Sequence, residues 1–454
     1  MFAALLLAHP AEAPAASDTA AAEATRAAER AWARVPDILK RITPPRFPDR
    51  DFVVTQFGAV GDGKTDCTKA FADAIAACHK AGGGRVVVPE GVFLTGPIHL
   101  KSGVNLHLRK GATIRFDTDT RKYLPAVFTR YEGTELMNYS PFIYAFEAQN
   151  IAITGEGTLD GQGPAGEWHA WKGKFRPAEE RLMDMVRRGV PARERVFGEG
   201  DFFRPNFIQP CRSRNVLIEG VRIINSPMWV INPVYCTNVI VRKVTVETRG
   251  PNTDGCNPDS CTDVLIEDCH FSNGDDCIAI KSGRDLDGRR VNIPSQNIIV
   301  RNCTFEKGHG GVTCGSETAG GIRNVFAENC RFDSPDLDMA IRLKTNPARG
   351  GYIEDFYVRN CTVQTAKFGI HMTMRYASRG AVEGESIPII RNIDVRDSTF
   401  LKLTRQPIFI EGWSKDMPVT DVTIANCAFP ETRSGNTITN AVRVNLINLR
   451  TLPQ

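Results

Sequence analysis

The sequence predicts an all-β fold, a single-domain parallel β-helix whose N-terminal end is covered by a helix. Three observations predict it: a recurring nine-residue phrase, strict alternation within that phrase, and connections too short for helical crossovers. The phrase reads NVLIEGVRI at 215, NVIVRKVTV at 238, DVLIEDCHF at 263, NIIVRNCTF at 297 and NVFAENCRF at 324. It continues as DFYVRNCTV at 355, NIDVRDSTF at 392 and DVTIANCAF at 421, with a looser copy, NIAITGEGT, at 150. Successive starts from 215 lie 23, 25, 34, 27, 31, 37 and 29 residues apart. Similar phrases at irregular spacing mark a solenoid with loops inserted between rungs. Each copy opens on Asn or Asp, which favour turns, and then alternates apolar and polar residues rich in β-branched types. That is a strand with one buried face, and such strands stack as rungs roughly 4.8 Å apart.

The elements follow in chain order. Residues 1–16, MFAALLLAHPAEAPAA, have the apolar core and small residues of a signal peptide without its basic n-region, an Ala-rich flexible end being the bland alternative. Residues 17–50 are helical in composition and read as an N-terminal extension or linker. The stretch 64–83, KTDCTKAFADAIAACHKAGG, predicts the capping helix, opening at Thr65 or Asp66 with Ala70, Phe71, Ala74, Ile75 and Cys78 on one face and a glycine stop. Residues 51–450 form the β-helix, and the charged insertion 160–204 is too long for a turn, hence a candidate groove wall. Its Trp168 and Trp171, like Trp229, are either sugar platforms or core. The recurring Cys269, Cys303, Cys330, Cys361 and Cys427 fall at one rung position and predict an internal column of small apolar side chains. The 13 cysteines are odd in number and include no CxxC pair, which argues against a zinc ribbon or a complete disulfide framework.

Composition narrows the function. No apolar run approaches the ~20 residues that span a bilayer, so no membrane partner is expected. The 56 Lys and Arg against 52 Asp and Glu leave a net charge of only +4, which does not point to nucleic acid. An acidic substrate must instead meet a local cluster of bases.

Counted from the repeat starts, Asp254 lies 16 residues after Asn238, Asp275 lies 12 after Asp263, and His309 lies 12 after Asn297. Arg342 and Lys344 lie 18 and 20 after Asn324. These offsets place Asp254 beside the adjacent pair Asp275 and Asp276, with His309 one rung further and the two cations beyond. Like charges that close repel and push one carboxyl toward its protonated form. A calcium cluster of Asp254, Asp259, Asp275 and Asp276 is the metal alternative, but no EF-hand spacing occurs and the neighbouring cations oppose it, so no cofactor or metal is expected.

With NTDG at 252–255, GDDC at 274–277, GHG at 308–310 and RLK at 342–344, in that order, the chain resembles the family 28 glycoside hydrolases, the polygalacturonases, and most of all their bacterial exo-acting members. The likeness runs over roughly residues 52–430, beginning at VTQFGAVGDGKTDCTKAF. It implies a right-handed β-helix and inverting hydrolysis of α-1,4-galacturonosidic bonds in pectin, with one carboxylic acid and an opposed carboxylate roughly 6.5–9.5 Å apart. It assigns the general acid to Asp275, the water to Asp254 and Asp276, tuning of the acid to His309, and the sugar carboxylate to Arg342 and Lys344. Asn252 and Tyr376 are implied sugar contacts. The expected partner is a pectic polysaccharide and the expected location secreted or periplasmic. Rhamnogalacturonan or xylogalacturonan hydrolysis, a calcium-dependent pectate lyase and a non-catalytic polysaccharide-binding β-helix stand as alternatives.

Overall fold

In the computed structural model, described over residues 18–377 and 384–453, the chain coils as a right-handed parallel β-helix. The expected signal peptide, residues 1–16, lies outside the described residues. One parallel sheet holds 13 strands, from Asp51–Val53 to Ala441–Ile447, and every repeat phrase supplies one of them. Registers are strict: Val216 faces Val239, Val239 faces Val264, and Val264 faces Ile298. A second sheet follows after a short corner, as in Arg222–Ile224, Thr245–Glu247 and His270–Ser272. The third sheet includes Ile278–Ile280 and Leu337–Lys344. The long strand Thr304–Gly315 turns from the second sheet into the third, pairing with the Phe271 rung at one end and the Ile278 rung at the other.

The Asn or Asp that opens each phrase is not a turn residue before the strand but a kink inside it. Asn215, Asn238, Asp263, Asn297, Asn324, Asp355, Asn392 and Asp421 all take left-handed φ values of 54 to 58°. Asn and Asp tolerate that region where β-branched residues do not. Their side chains then stack along the axis, with Asn238 Nδ2 donating to Asn215 Oδ1 at 2.9 Å and Asn297 Nδ2 to Asp263 Oδ1 at 2.9 Å. The cysteine column is internal as expected: Cys269, Cys303, Cys330, Cys361 and Cys427 are each 2% exposed or less. Each thiol donates to the carbonyl two residues back, Cys303 to Arg301 O at 3.4 Å for example, so the corner keeps its polar groups satisfied. Phe271, Phe305 and Phe332 stack beside them.

Three helices lie in the first 80 residues: α1 (Asp18–Trp32), α2 (Val35–Arg41) and α3 (Thr68–Lys80). α3 covers the first rungs and buries the expected Ala70, Phe71, Ala74, Ile75 and Cys78, but it begins at Thr68 rather than Thr65 or Asp66. Residues Asp62–Asp66 are a strand paired with Gly91–Thr95. The Asp62 carboxylate accepts the amides of Lys64 and Thr65, and Asp66 accepts that of Thr68, which delays the helix by a turn. The extension is no linker. Trp32, Val35 and Ile38 pack against an outward apolar row of the first sheet, including Leu217, Leu265 and Phe326. Arg41 pairs with Asp263 at 2.8 Å, and Asn238 exchanges hydrogen bonds with the Thr43 backbone.

Candidate active site

The four motifs sit on consecutive rungs because the backbone stacks them. Val230 N donates to Asp254 O, Gly255 N to Asp276 O, and Cys277 N to Gly310 O, at 2.7 to 2.9 Å. The glycines around His309 permit that contact. A Cβ on Gly308 would stand 2.5 Å from Asp275 O, and one on Gly310 would stand 2.8 Å from Asp276 Oδ1. On the rung after His309, Arg342 lies opposite Thr313 and Lys344 opposite Gly315.

The result is a carboxylate trio on the floor of an open cleft of about 670 Å³. One oxygen from each of Asp254, Asp275 and Asp276 lies within 4.8 Å of the others. Cations stand against the trio. Arg342 Nη1 reaches Asp276 Oδ1 at 3.0 Å and Lys344 Nζ reaches Asp276 Oδ2 at 2.6 Å. Both cations bond a carboxylate of the protein itself, and both also lie against the Tyr376 ring, at 5.5 and 5.0 Å from its centroid. His309 Nδ1 lies 3.0 Å from Asp275 Oδ1, which also accepts the Asp276 amide at 2.9 Å. Asp254 Oδ2 accepts from Asn257 at 3.1 Å and has Lys281 Nζ at 3.7 Å, while its buried Oδ1 has no protein partner.

These environments drive the three carboxyls apart. Burial and the nearby Asp275 charge push Asp254 well above the ordinary carboxylate range, against the pull of Lys281. Burial would also raise Asp275, but the His309 hydrogen bond and the Lys344 charge outweigh it and hold the group low. Asp276 is likewise held low by Lys344 and Arg342 against its burial. The Asp275 hydrogen bond in turn raises His309 above its ordinary 6.5. Burial therefore favours the protonated form of Asp254, and the His309–Asp275 bond favours an imidazolium beside a carboxylate. The family resemblance alone would have put the acid's proton on Asp275.

Sequence reasoning missed several neighbours. Lys281, from IKSG, is 3% exposed, bonds Glu317 Oε2 at 2.8 Å and lies 4.5 Å from the centroid of the Trp229 ring. Glu317 and Asp254 sustain its charge against burial. Nothing in a strand reading IAIK distinguishes that lysine from a surface one. Asn252 is held from the insertion, by Lys172 Nζ and by Arg204 Nη2 at 2.7 Å. The tryptophans divide: Trp168 and Trp171 pack in the core with Tyr139, whereas Trp229 lines the cleft. Asp259 is not part of the trio, being fully buried against Arg130 at 2.8 Å.

A parallel β-helix with clustered carboxylates among cations in an open cleft defines a class, the glycoside-cleaving β-helices. Residues 199–446 match the glycosyl hydrolases family 28, and residues 52–117 match a rhamnogalacturonase A/epimerase, pectate lyase-like region. A probable polygalacturonase of Vitis vinifera is 34% identical over 82% of this chain and 73% of its own length. An exo-poly-alpha-D-galacturonosidase of Dickeya chrysanthemi is 28% identical over 76% of this chain and 62% of its own. The crystal structure of a hyperthermoactive exopolygalacturonase from Thermotoga maritima superposes with a TM-score of 0.88 at 41% identity, covering 93% of this chain and 96% of that one. The chain belongs to glycosyl hydrolases family 28 and is a glycoside hydrolase.

Proposed function

We propose that the enzyme hydrolyses α-1,4-linked polygalacturonate, with inversion, and releases galacturonate units from chain ends. The observation that carries this reading is the carboxylate trio set among Lys281, Arg342 and Lys344, a site able both to protonate a glycosidic oxygen and to receive an anionic sugar. The exo-acting names of the Dickeya and Thermotoga relatives support the chain-end mode. Asp275 delivers to the leaving oxygen the proton held in its bond with His309. Asp276, fixed as an anion by Arg342 and Lys344, flanks the attacking water together with Asp254. Arg342 and Lys344 keep further N–H donors for the sugar carboxylate, and Asn252 and Tyr376 border the ring. The substrate lies outside the cell, in keeping with export directed by residues 1–16, which fractionation of the native host would check.

One observation favours a second assignment within the same reaction: burial favours the protonated form of Asp254, which would then be the acid. Chemical rescue separates the two. The acid's Asn variant regains activity on a galacturonide with a good leaving group, and the base's variant regains it with added azide. The function itself is tested by product analysis on polygalacturonate and rhamnogalacturonan, with Asp275→Asn as control and the anomer of the first product followed by NMR. Unsaturated, ultraviolet-absorbing products would overturn hydrolysis.

A further inference from the structure

Three cations border the carboxylate trio, and they are divided between its members. Arg342 and Lys344 take the two oxygens of Asp276, at 3.0 and 2.6 Å. Lys281 belongs to Asp254. Its Nζ lies 3.7 Å from Oδ2, the oxygen that also accepts from Asn257 Nδ2 at 3.1 Å. Both contacts fall on the same oxygen, so Oδ1, which has no protein partner, is left for a water or a glycosidic oxygen.

The lysine is itself fixed from the other side. Nζ donates to Glu317 Oε2 at 2.8 Å and to Gly315 O at 3.3 Å, and it lies 4.5 Å from the centroid of the Trp229 ring. Lys281 is 3% exposed and Glu317 6%, so neither charge is stable there without the other. Behind Glu317, Arg349 stands at 3.7 Å and in turn meets Asp285 at 2.6 Å. Charges thus alternate in sign from the trio inward: Asp254, Lys281, Glu317, Arg349, Asp285. If Lys281 left Asp254 for the carboxylate of an entering sugar, it would strip a buried Glu317 of its nearest cation.

We propose that Lys281, held in place by Glu317, is a positioning residue that orients Asp254 and governs the release of its proton during hydrolysis. The proposal rests on the reading of the protein as a polygalacturonate hydrolase. Its physical basis is the negative charge that gathers at this point. Asp275 and Asp276 face Asp254 with Lys281 and Lys344 opposing them, and a galacturonate adds a carboxylate of its own. Each anion favours the protonated form of Asp254, and Lys281 is the cation in ion-pair contact that works against them. Glu317, Asp254 and Asp276 sustain the charge of Lys281, while Arg349 and Lys344 are the further cations that face Glu317. Among the described residues, Glu132, Lys172 and Tyr376 are the other ionisable groups that line the cleft. Neutralising the two members of the pair must therefore move Asp254 in opposite directions. Loss of Lys281 favours its protonated form, and loss of Glu317, which leaves the ammonium to Asp254, favours the ionised one.

The test compares wild type, Lys281→Met, Glu317→Gln and the double variant on polygalacturonate, with kcat followed across pH and thermal melts to show that each is folded. In parallel, infrared titration follows the protonated-carboxyl band that Asp254→Asn removes, which reads Asp254 without turnover. Lys281→Met should move both the Asp254 limb of the kcat profile and the infrared titration up by about one pH unit, roughly a tenfold change in rate on that limb. Glu317→Gln should move both down. These directions hold whether Asp254 is the base, on the acidic limb, or the acid, on the alkaline one. The double variant, which removes both charges together, should keep a smaller upward shift. Folded variants that lose rate while both titrations stay in place would overturn the proposal, as would shifts of the two single variants in the same direction. A wild type inactive on polygalacturonate, with the infrared shifts intact, would overturn the hydrolase reading and with it the role in hydrolysis.

Discussion

Asp275 and Asp276 are neighbours in sequence with opposite commitments in space. One faces an imidazole, the other an arginine and a lysine. Asp275→Asn is expected to lower kcat by roughly 10²- to 10⁴-fold while leaving polymer binding measurable by affinity electrophoresis. The His309–Asp275 bond sets the pH window. His309, raised above 6.5, contributes stability that is complete below that ordinary value and lost as pH rises through its folded value. Asp275, held low, contributes stability that is present above the ordinary 3.8 and lost as pH falls through its folded value. Activity should hold between those limits and fall on the alkaline side as the shared proton leaves. His309→Gln should remove that alkaline limb from the kcat profile; an unchanged limb would show that another group carries the proton. The trio, His309 and the RLK pair were legible in sequence because their types and order are constrained by chemistry. Lys281 and Glu317 were not, since only the coil brings them to the cleft.

At the level of the sheet, the fifth residue of the six repeat phrases from 215 to 355 reads Glu219, Arg242, Glu267, Arg301, Glu328 and Arg359, alternating in sign until Arg396 follows Arg359. The registers place each directly beside the next. The bonds are short, Arg242 to Glu219 at 2.8 Å, Arg301 to Glu267 at 2.6 Å and Arg359 to Glu328 at 2.6 Å. Alternation of this kind fixes register, because a slip of one rung would set like charge on like. Glu267→Lys would line up three cations and should cost on the order of 1–3 kcal/mol in urea unfolding, part of it restored by salt. An insensitivity to salt would mean that packing, not charge, holds these rungs. The signal lay in the phrase itself, whereas the start of α3 did not: Thr65 and Asp66 suit a helix N-terminus until the Asp62 side chain takes the local amides.

For the molecule as a whole, the helices at 18–41 matter more than their composition suggested. α1 begins near the last rungs, where Arg396 Nη2 donates to Ala24 O at 3.4 Å, and the chain then runs back along the first sheet until α2 meets Asp263. Trp32 lies midway, 5.3 Å from the Phe326 ring centroid, with the Arg359 guanidinium 3.8 Å from its own. Trp32→Ala should cost about 3–5 kcal/mol and lower the melting temperature of the late rungs first, as hydrogen exchange would show. Composition could announce helices here but not their dock, because the apolar row they cover belongs to seven different turns of the coil. The contact between Ala24 and Arg396 closes a separation of 372 residues. The helix Asp18–Trp32 therefore completes its seat only after nearly every rung exists, and such closures are slow.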